Sequence, residues 1–280
     1  MLTTLDLEAE YNNRARVAEH TEIIAGWVTD AATYRALAAE RHTTIQYGSS
    51  SRQALDIFTP ASPKPDTATV LFIHGGYWQS LSASSFSHMA RGLNERGLTV
   101  AIAGYDLCPD VGIADIIEQM MSAAQTLFKH TQKPIIVCGH SAGGHLAACL
   151  AATDFQNIDE TLPLHLIPAG LALSGLFELE PLVPTSINQK LGLDIQSARA
   201  LSPRLWLPPK GIIFDAWVGG EESAEYHRQS QGIAAVWQAA GNTTRFVSVA
   251  GANHFTVIAP LADAASALTS RVVEIVSGLK

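Results

Sequence analysis

The chain has 280 residues, of which 47% are hydrophobic and 16% charged, a composition typical of a folded globular protein rather than a disordered chain. Its 18 basic and 26 acidic residues give a net charge of −8, which argues against a binding surface for nucleic acid or for an anionic membrane. No apolar run approaches the roughly 20 residues of a membrane-spanning helix, and no signal peptide is visible. We therefore expect a cytoplasmic protein that binds neither nucleic acid nor membrane.

The first 42 residues are predicted to be mainly helical. Apolar side chains recur there at helical spacing, and they are Ile23, Ile24, Trp27, Val28 and Ala31. This segment is either a lid over a site or a packing extension of the domain, and the sequence leaves both alternatives open.

Eight strands are predicted after this segment. TTIQYG and ALDIF form an opening antiparallel pair. Six apolar runs follow, and they are TVLFIH, LTVAIAGYD, PIIVCG, GLALSG, GIIFDAWVG and RFVSVAG. Between and after them lie segments with helical patterns, at 86–96, 113–130, 226–240 and 260–279, together with a short one that begins at 142. Strands that are apolar on both faces and alternate with helices are typical of a parallel sheet covered on both sides. We predict one α/β domain over 1–280, interrupted only by a small irregular excursion at 178–209.

Three cysteines are too few and too scattered for a disulfide framework or a paired metal site. They are Cys108, Cys138 and Cys149, and all lie in apolar stretches. We expect buried free thiols in a reducing compartment.

Four of the predicted strands end in residues that can carry chemistry. HGGYW begins at His74, GHSAG spans 139–143, Glu221 and Glu222 follow AWVG, and His254 follows the last strand. Ligands of such sheets bind at the carboxyl ends of the strands. A serine, an acid and a histidine in this chain order are typical of an α/β-hydrolase.

Ser141 is the candidate nucleophile, because glycines on both sides permit a tight strand–turn–helix elbow. The alternative is an ordinary helix N-cap serine. The amide of Ala142 at the helix N-terminus can stabilise an oxyanion. In the first loop, Gly75 and Gly76 allow close backbone approach, and the amides of Gly76 and Tyr77 complete the predicted oxyanion hole. Tyr77 and Trp78 are candidates for lining the substrate pocket, although either can belong to the core.

His254 is the candidate base, since it lies between the last strand and the last helix. His74 precedes both loop glycines and is expected to brace that loop. His140 and His145 are five residues apart and lack the spacing of a helical zinc pair, so we predict no metal and no cofactor.

The acid that orients the histidine is the least defined member of the set. Asp215 lies inside a predicted strand, too early for a loop at the strand end. Glu221 and Glu222 both lie in the loop, where acidic residues can also simply favour the start of a helix.

With these residues, the chain resembles the kynurenine formamidase group of α/β-hydrolases. The resemblance runs from about residue 70 to 255 and rests on HGGYWQS, GYDLCP, CGHSAGGHLAA, LSGLFELEPL, VGGEESAEYHRQS and NHF. It implies Ser141 as nucleophile and His254 as base, and it aligns the family's aspartate with Glu222. A glutamate at this position departs from the family's aspartate. Glu221 therefore remains an alternative for the acid, and the family's substrate is a weaker guide to the substrate of this chain. The N-terminal YNNRARV resembles the opening of related hydrolases, but the sequence assigns it no role.

We thus expect a serine hydrolase of a small ester or aryl (form)amide, acting through Ser141, His254 and Glu222 and an acyl-enzyme. The alternatives are a general short-chain carboxylesterase and a ligand-binding protein on a hydrolase scaffold; a metallohydrolase is disfavoured. The expected partner is a small-molecule substrate. The oligomeric state is open, a homodimer being one alternative.

Overall fold

The computed structural model describes residues 5–65 and 67–279 and contains an eight-stranded sheet. The strands are β1 (His42–Gln46), β2 (Ala54–Phe58), β3 (Thr69–Ile73), β4 (Val100–Ala103), β5 (Ile135–His140), β6 (Ala169–Leu173), β7 (Ile213–Gly219) and β8 (Thr243–Val249). Their order is β1-β2-β4-β3-β5-β6-β7-β8. Pairs β1–β2 and β2–β4 are antiparallel and the remaining pairs parallel. The predicted sheet, with its antiparallel opening, is confirmed.

Helices cover both faces of this sheet. They are α1 (Leu7–Tyr11), α2 (Asn13–Arg16), α3 (His20–Leu37), α4 (Arg91–Glu95), α5 (Ile113–Thr131), α6 (Ala142–Ala151), α7 (Asn188–Leu191), α8 (Ile195–Ala200), α9 (Ala224–Ala239) and α10 (Ala267–Gly278). One apolar layer lies between the sheet and α5, α6 and α9, and a second lies beneath α3, α4 and α10. In the described ranges, no helix is both long and apolar enough to cross a membrane.

The central strands are buried on both faces, as their continuous apolar sequences predict. Every residue of β3, β5 and β6 is buried, whereas the edge strand β8 is only partly covered. A parallel sheet needs this double cover, because its crossover helices pack on both faces. The carboxyl ends of β5, β6, β7 and β8 therefore meet at one edge of a rigid layer.

Two predicted helices are shorter than expected. The segment predicted at 86–96 begins as a 3₁₀ helix, Ala83–Ala90, before it continues as α4. In the C-terminal segment, Pro260 lies in a separate 3₁₀ turn, and α10 starts only after Ser266, whose side chain accepts a hydrogen bond from the amide of Thr269. A serine N-cap sets the start of a helix more strongly than apolar periodicity does.

The N-terminal segment is helical, as predicted, and α3 packs against the 3₁₀ helix Ala83–Ala90. The buried residues of α3 are Trp27, Ala31 and Tyr34. Val28 was expected on the apolar stripe, but it is 51% exposed. At 100° per residue, Val28 is turned away from the face that Trp27 and Ala31 share.

Candidate active site

Ser141 lies on a sharp turn between β5 and α6, with φ 55° and ψ −119°. A non-glycine residue rarely adopts a positive φ, and such strain is concentrated at functional sites. The turn requires both neighbouring glycines. A Cβ atom at Gly139 would lie 2.0 Å from the carbonyl oxygen of Gly143, and one at Gly143 would lie 2.0 Å from that of Ile73.

The structure brings Ser141, His254 and Glu222 into one hydrogen-bonded chain. His254 Nε2 lies 3.1 Å from Ser141 Oγ, and His254 Nδ1 lies 2.7 Å from Glu222 Oε2. The three residues are 2%, 5% and 9% exposed. This geometry fits a nucleophile, a base and an acid that orients the base.

Glu222, rather than Glu221, reaches the histidine. Its second oxygen, Oε1, accepts hydrogen bonds from the amide of Gly219 at 2.6 Å and from the Ser174 hydroxyl. Glu221 is exposed to solvent. Three donors, among them His254 Nδ1, therefore fix the Glu222 carboxylate in place.

Ser174 is a site residue that the sequence reasoning missed. It follows β6, has a positive φ of 54°, and belongs to the LSG stretch that was noted only for its family resemblance. The available signal was a small hydroxyl residue at the carboxyl end of a strand next to the nucleophile strand.

His140 also holds the candidate base, His254, in place. Its Nε2 donates to the main-chain carbonyl oxygen of His254 at 2.8 Å, and the two rings lie 4.9 Å apart. Burial holds the pKa of His140 well below its usual range, so the ring is a neutral partner. Among the described residues, no group of three or more histidine, cysteine or acidic side chains could hold a metal ion.

The loop after β3 lies directly against the elbow. A Cβ atom at Gly75 would lie 2.8 Å from the carbonyl oxygen of His140. The next two residues, Gly76 and Tyr77, have φ values of 112° and 52°. Within the described chain, the amides of Gly76, Tyr77 and Ala142 donate to no protein acceptor. Such free amides beside a nucleophile can stabilise an oxyanion.

Trp78 corrects one expectation. Its side chain is fully buried and packs edge-on against His145, with ring centroids 5.0 Å apart. It is absent from the walls of the cavity above Ser141, whereas Tyr77 lines them. Trp78 is therefore a core residue: with φ at 57°, the loop turns its indole inward.

The other candidate polar residues are structural. His74 stacks on Tyr105 at 4.3 Å, and its Nδ1 lies 2.7 Å from the carbonyl oxygen of Gly75, while burial lowers its pKa to about 4. His145 bonds the carbonyl oxygen of Leu201 and so ties the excursion to α6. Asp215 is fully buried in an ion pair with Arg271, at 2.7 Å.

A cavity of about 320 Å³ opens above Ser141. One wall is apolar and includes Ile24, Trp27, Leu81 and Phe255. Residues of α1, α2, α7 and the loop after β3 also line the cavity. Residues of the N-terminal segment thus line the cavity above Ser141.

Comparison with known proteins places this site in context. The family model described as BD-FAE matches residues 55–167. A kynurenine formamidase of Danio rerio is 29% identical over 241 residues, which cover 83% of this chain and 80% of the relative. A crystal structure from Silicibacter sp. tm1040, named “putative thioesterase”, is 32% identical with a TM-score of 0.86, covering 98% of this chain and 100% of that one. An esterase from Thermogutta terrifontis shares the fold at 24% identity and a TM-score of 0.61, covering 77% and 84% of the two chains.

Proposed function

Because this chain belongs to the esterase family of α/β-hydrolases, we propose that it is a serine hydrolase of small carboxylic esters and aryl amides, including N-formyl aryl amides. The observation that carries the proposal is the hydrogen-bonded chain from Ser141 through His254 to Glu222 at the cavity. Three free amides lie beside it, two in the loop after β3 and one at the start of α6.

The proposed reaction begins with attack of Ser141 Oγ on the substrate carbonyl carbon. His254 Nε2 takes the hydroxyl proton, and the Glu222 carboxylate stabilises the imidazolium that forms. The amides of Gly76, Tyr77 and Ala142 stabilise the oxyanion of the tetrahedral intermediate. His254 then gives its proton to the leaving group, and a water molecule, deprotonated by the same histidine, releases the acyl group from Ser141.

The cavity supports an aryl substrate of modest size. Its volume of about 320 Å³ lies at the lower end of the range for small-molecule sites. Trp27 and Phe255 form an aromatic surface, with ring centroids 6.1 Å apart, on which a planar ring can pack. A formyl group is the smallest acyl group, so most of the cavity would then hold the leaving group. The relationship to the Danio rerio kynurenine formamidase supports the same substrate class.

The test is a comparison of kcat/KM for N-formylkynurenine, p-nitrophenyl acetate and a phenyl thioacetate, with Ser141→Ala as the control. A preference for the formyl amide would support a formamidase. A preference for the ester or thioester would be consistent with the proposed mechanism but would change the proposed substrate class. Turnover that persists in the Ser141→Ala variant would overturn the proposal, and the absence of any turnover in the wild type would favour a ligand-binding protein.

A further inference from the structure

The hydroxyl of Tyr77 lies in a buried network that joins the proposed oxyanion loop to the N-terminal segment. It donates to the main-chain carbonyl oxygen of Tyr11 at 2.5 Å. It also lies 2.8 Å from the hydroxyl of Tyr226 and 3.3 Å from Asn13 Nδ2. Asn13 Nδ2 is in turn 2.8 Å from the Tyr226 hydroxyl. These three side chains form a closed ring of hydrogen bonds.

The donors and acceptors of this ring are matched. The single proton of the Tyr77 hydroxyl goes to Tyr11, so Tyr226 must donate to Tyr77. The two amide protons of Asn13 then serve the two hydroxyl oxygens. Burial raises the pKa values of Tyr77 and Tyr226 far above the usual range, which keeps both phenols protonated.

Tyr11 anchors the N-terminal segment to α9. Its hydroxyl donates to Glu225 Oε2 at 2.6 Å and accepts from Gln229 Nε2 at 2.6 Å. The amide of Glu225 donates to Glu10 Oε2 at 3.0 Å, so the same segment also binds the first turn of this helix. The ring of hydrogen bonds is therefore held by a rigid element rather than by a free terminus.

The hydrogen-bonded ring of Tyr77, Tyr226 and Asn13 contacts two groups that the proposed reaction needs in fixed positions. Tyr77 holds a left-handed backbone conformation, which surrounding contacts must enforce in a non-glycine residue. Its amide is one of the three that we propose to stabilise the oxyanion. The Tyr226 ring packs on the His254 ring, with centroids 4.7 Å apart.

We propose that Asn13 and Tyr226 are positioning residues, which set the Tyr77 amide and the His254 ring for reaction and make the N-terminal YNN stretch part of the machinery. This inference rests on the proposed serine-hydrolase function. In this proposal Asn13 does not contact the reacting atoms. The effect of Asn13 reaches the oxyanion through the hydroxyl of Tyr77.

The test compares Tyr77→Phe, Asn13→Ala and the double variant with Tyr34→Phe, by steady-state kinetics on p-nitrophenyl acetate and by thermal unfolding. Tyr34 is a matched control, because its buried hydroxyl donates to Asn94 outside the cavity. In the two single variants we expect kcat to fall about 10- to 100-fold with KM changed less than about threefold, the pattern of an interaction made in the transition state. Tyr34→Phe should lower the Tm comparably and leave kcat within about twofold.

The double variant separates positioning from general destabilisation. If Asn13 acts through Tyr77, the double variant should be no slower than the slower single variant, because coupled residues are not additive. Reduced Tm with unchanged kcat in Tyr77→Phe and Asn13→Ala would overturn the inference, and so would multiplicative losses of kcat. Ser141→Ala, assayed alongside, distinguishes the two failures: an active Ser141→Ala variant would contradict the proposed function itself.

Discussion

Two buried carboxylates, one inside β7 and one in the loop after it, have different partners and therefore different proposed roles. Asp215 is paired with a permanent cation, Arg271, whereas Glu222 faces His254, whose charge changes during the proposed reaction. Burial alone does not distinguish these two acids, because both side chains are almost fully enclosed. The partner of each acid, Arg271 or His254, therefore indicates its proposed role.

Glu222→Gln should lower kcat by about 10³- to 10⁴-fold, because an amide nitrogen facing His254 Nδ1 cannot accept its hydrogen bond, and the wrong imidazole tautomer is favoured. Ester hydrolysis under substrate saturation measures this loss. Glu221→Gln is the control and should retain kcat within about twofold, since its side chain points to solvent. A large loss in Glu221→Gln with an active Glu222→Gln would reverse the assignment of the acid.

Asp215→Ala should destabilise the fold by about 3–5 kcal/mol, because it leaves the largely enclosed Arg271 guanidinium without its partner. Urea unfolding monitored by fluorescence gives the free energy of unfolding. The kcat per folded molecule should stay near that of the wild type. A stable but inactive Asp215→Ala variant would place this acid in the reaction.

At the scale of elements, the β5–α6 elbow depends on backbone contact that only glycine permits. Gly143→Ala should destabilise the protein by more than about 1–3 kcal/mol, the usual cost of overpacking, because the new Cβ atom meets main-chain oxygens that cannot move aside. Circular dichroism during urea unfolding measures the change.

Gly26→Ala is the matched control for that substitution. Gly26 lies on the exposed side of α3, and a Cβ atom there would meet no atom within 4 Å. Alanine should therefore stabilise the helix by about 0.5–1 kcal/mol. Equal effects of the two substitutions would contradict the close approach at the elbow.

The parts of the site that the sequence predicted are those with local signals. The glycines around Ser141, the glycine loop after β3 and the histidine after β8 each follow an apolar strand. Asn13 and Tyr226 could not be predicted in the same way, since Asn13 lies 64 residues from Tyr77 and 213 residues from Tyr226 along the chain. Such contacts are set by tertiary packing, for which a single sequence carries no periodic signal.

Trp78 shows a second limit of sequence reasoning. In strands and helices, the period predicts which way a side chain points. The loop at Gly76–Trp78 has three consecutive positive φ values, and no period applies there. Adjacent aromatic residues therefore diverge, with Tyr77 at the cavity and Trp78 in the core.

At the scale of the whole molecule, four of the buried histidines predict instability in mild acid. Burial lowers the pKa of His74, His88 and His145 to about 4 from an ordinary 6.5, and it holds the pKa of His140 well below its usual range. Between pH 6.5 and 4 the unfolded chain binds more protons than the native protein, so stability falls as the pH falls, by about 1.4 kcal/mol per unit for each histidine.

Urea unfolding at pH 7, 6 and 5 measures this slope. His88→Gln is the informative variant, since His88 lies in the 3₁₀ helix Ala83–Ala90 and takes no part in the proposed reaction. This substitution should reduce the dependence of the free energy of unfolding on pH by about the contribution of one histidine. A free energy of unfolding that is constant from pH 7 to pH 5 would contradict the buried neutral rings.

The most direct test of the central claim is the site of covalent labelling by an aryl phosphonate, which reacts with activated serines. Peptide mass spectrometry after stoichiometric inactivation should locate one adduct per chain on Ser141, and Glu222→Gln should slow the labelling. An adduct on another residue, or full turnover of substrate by a chain whose Ser141 is labelled, would contradict the account.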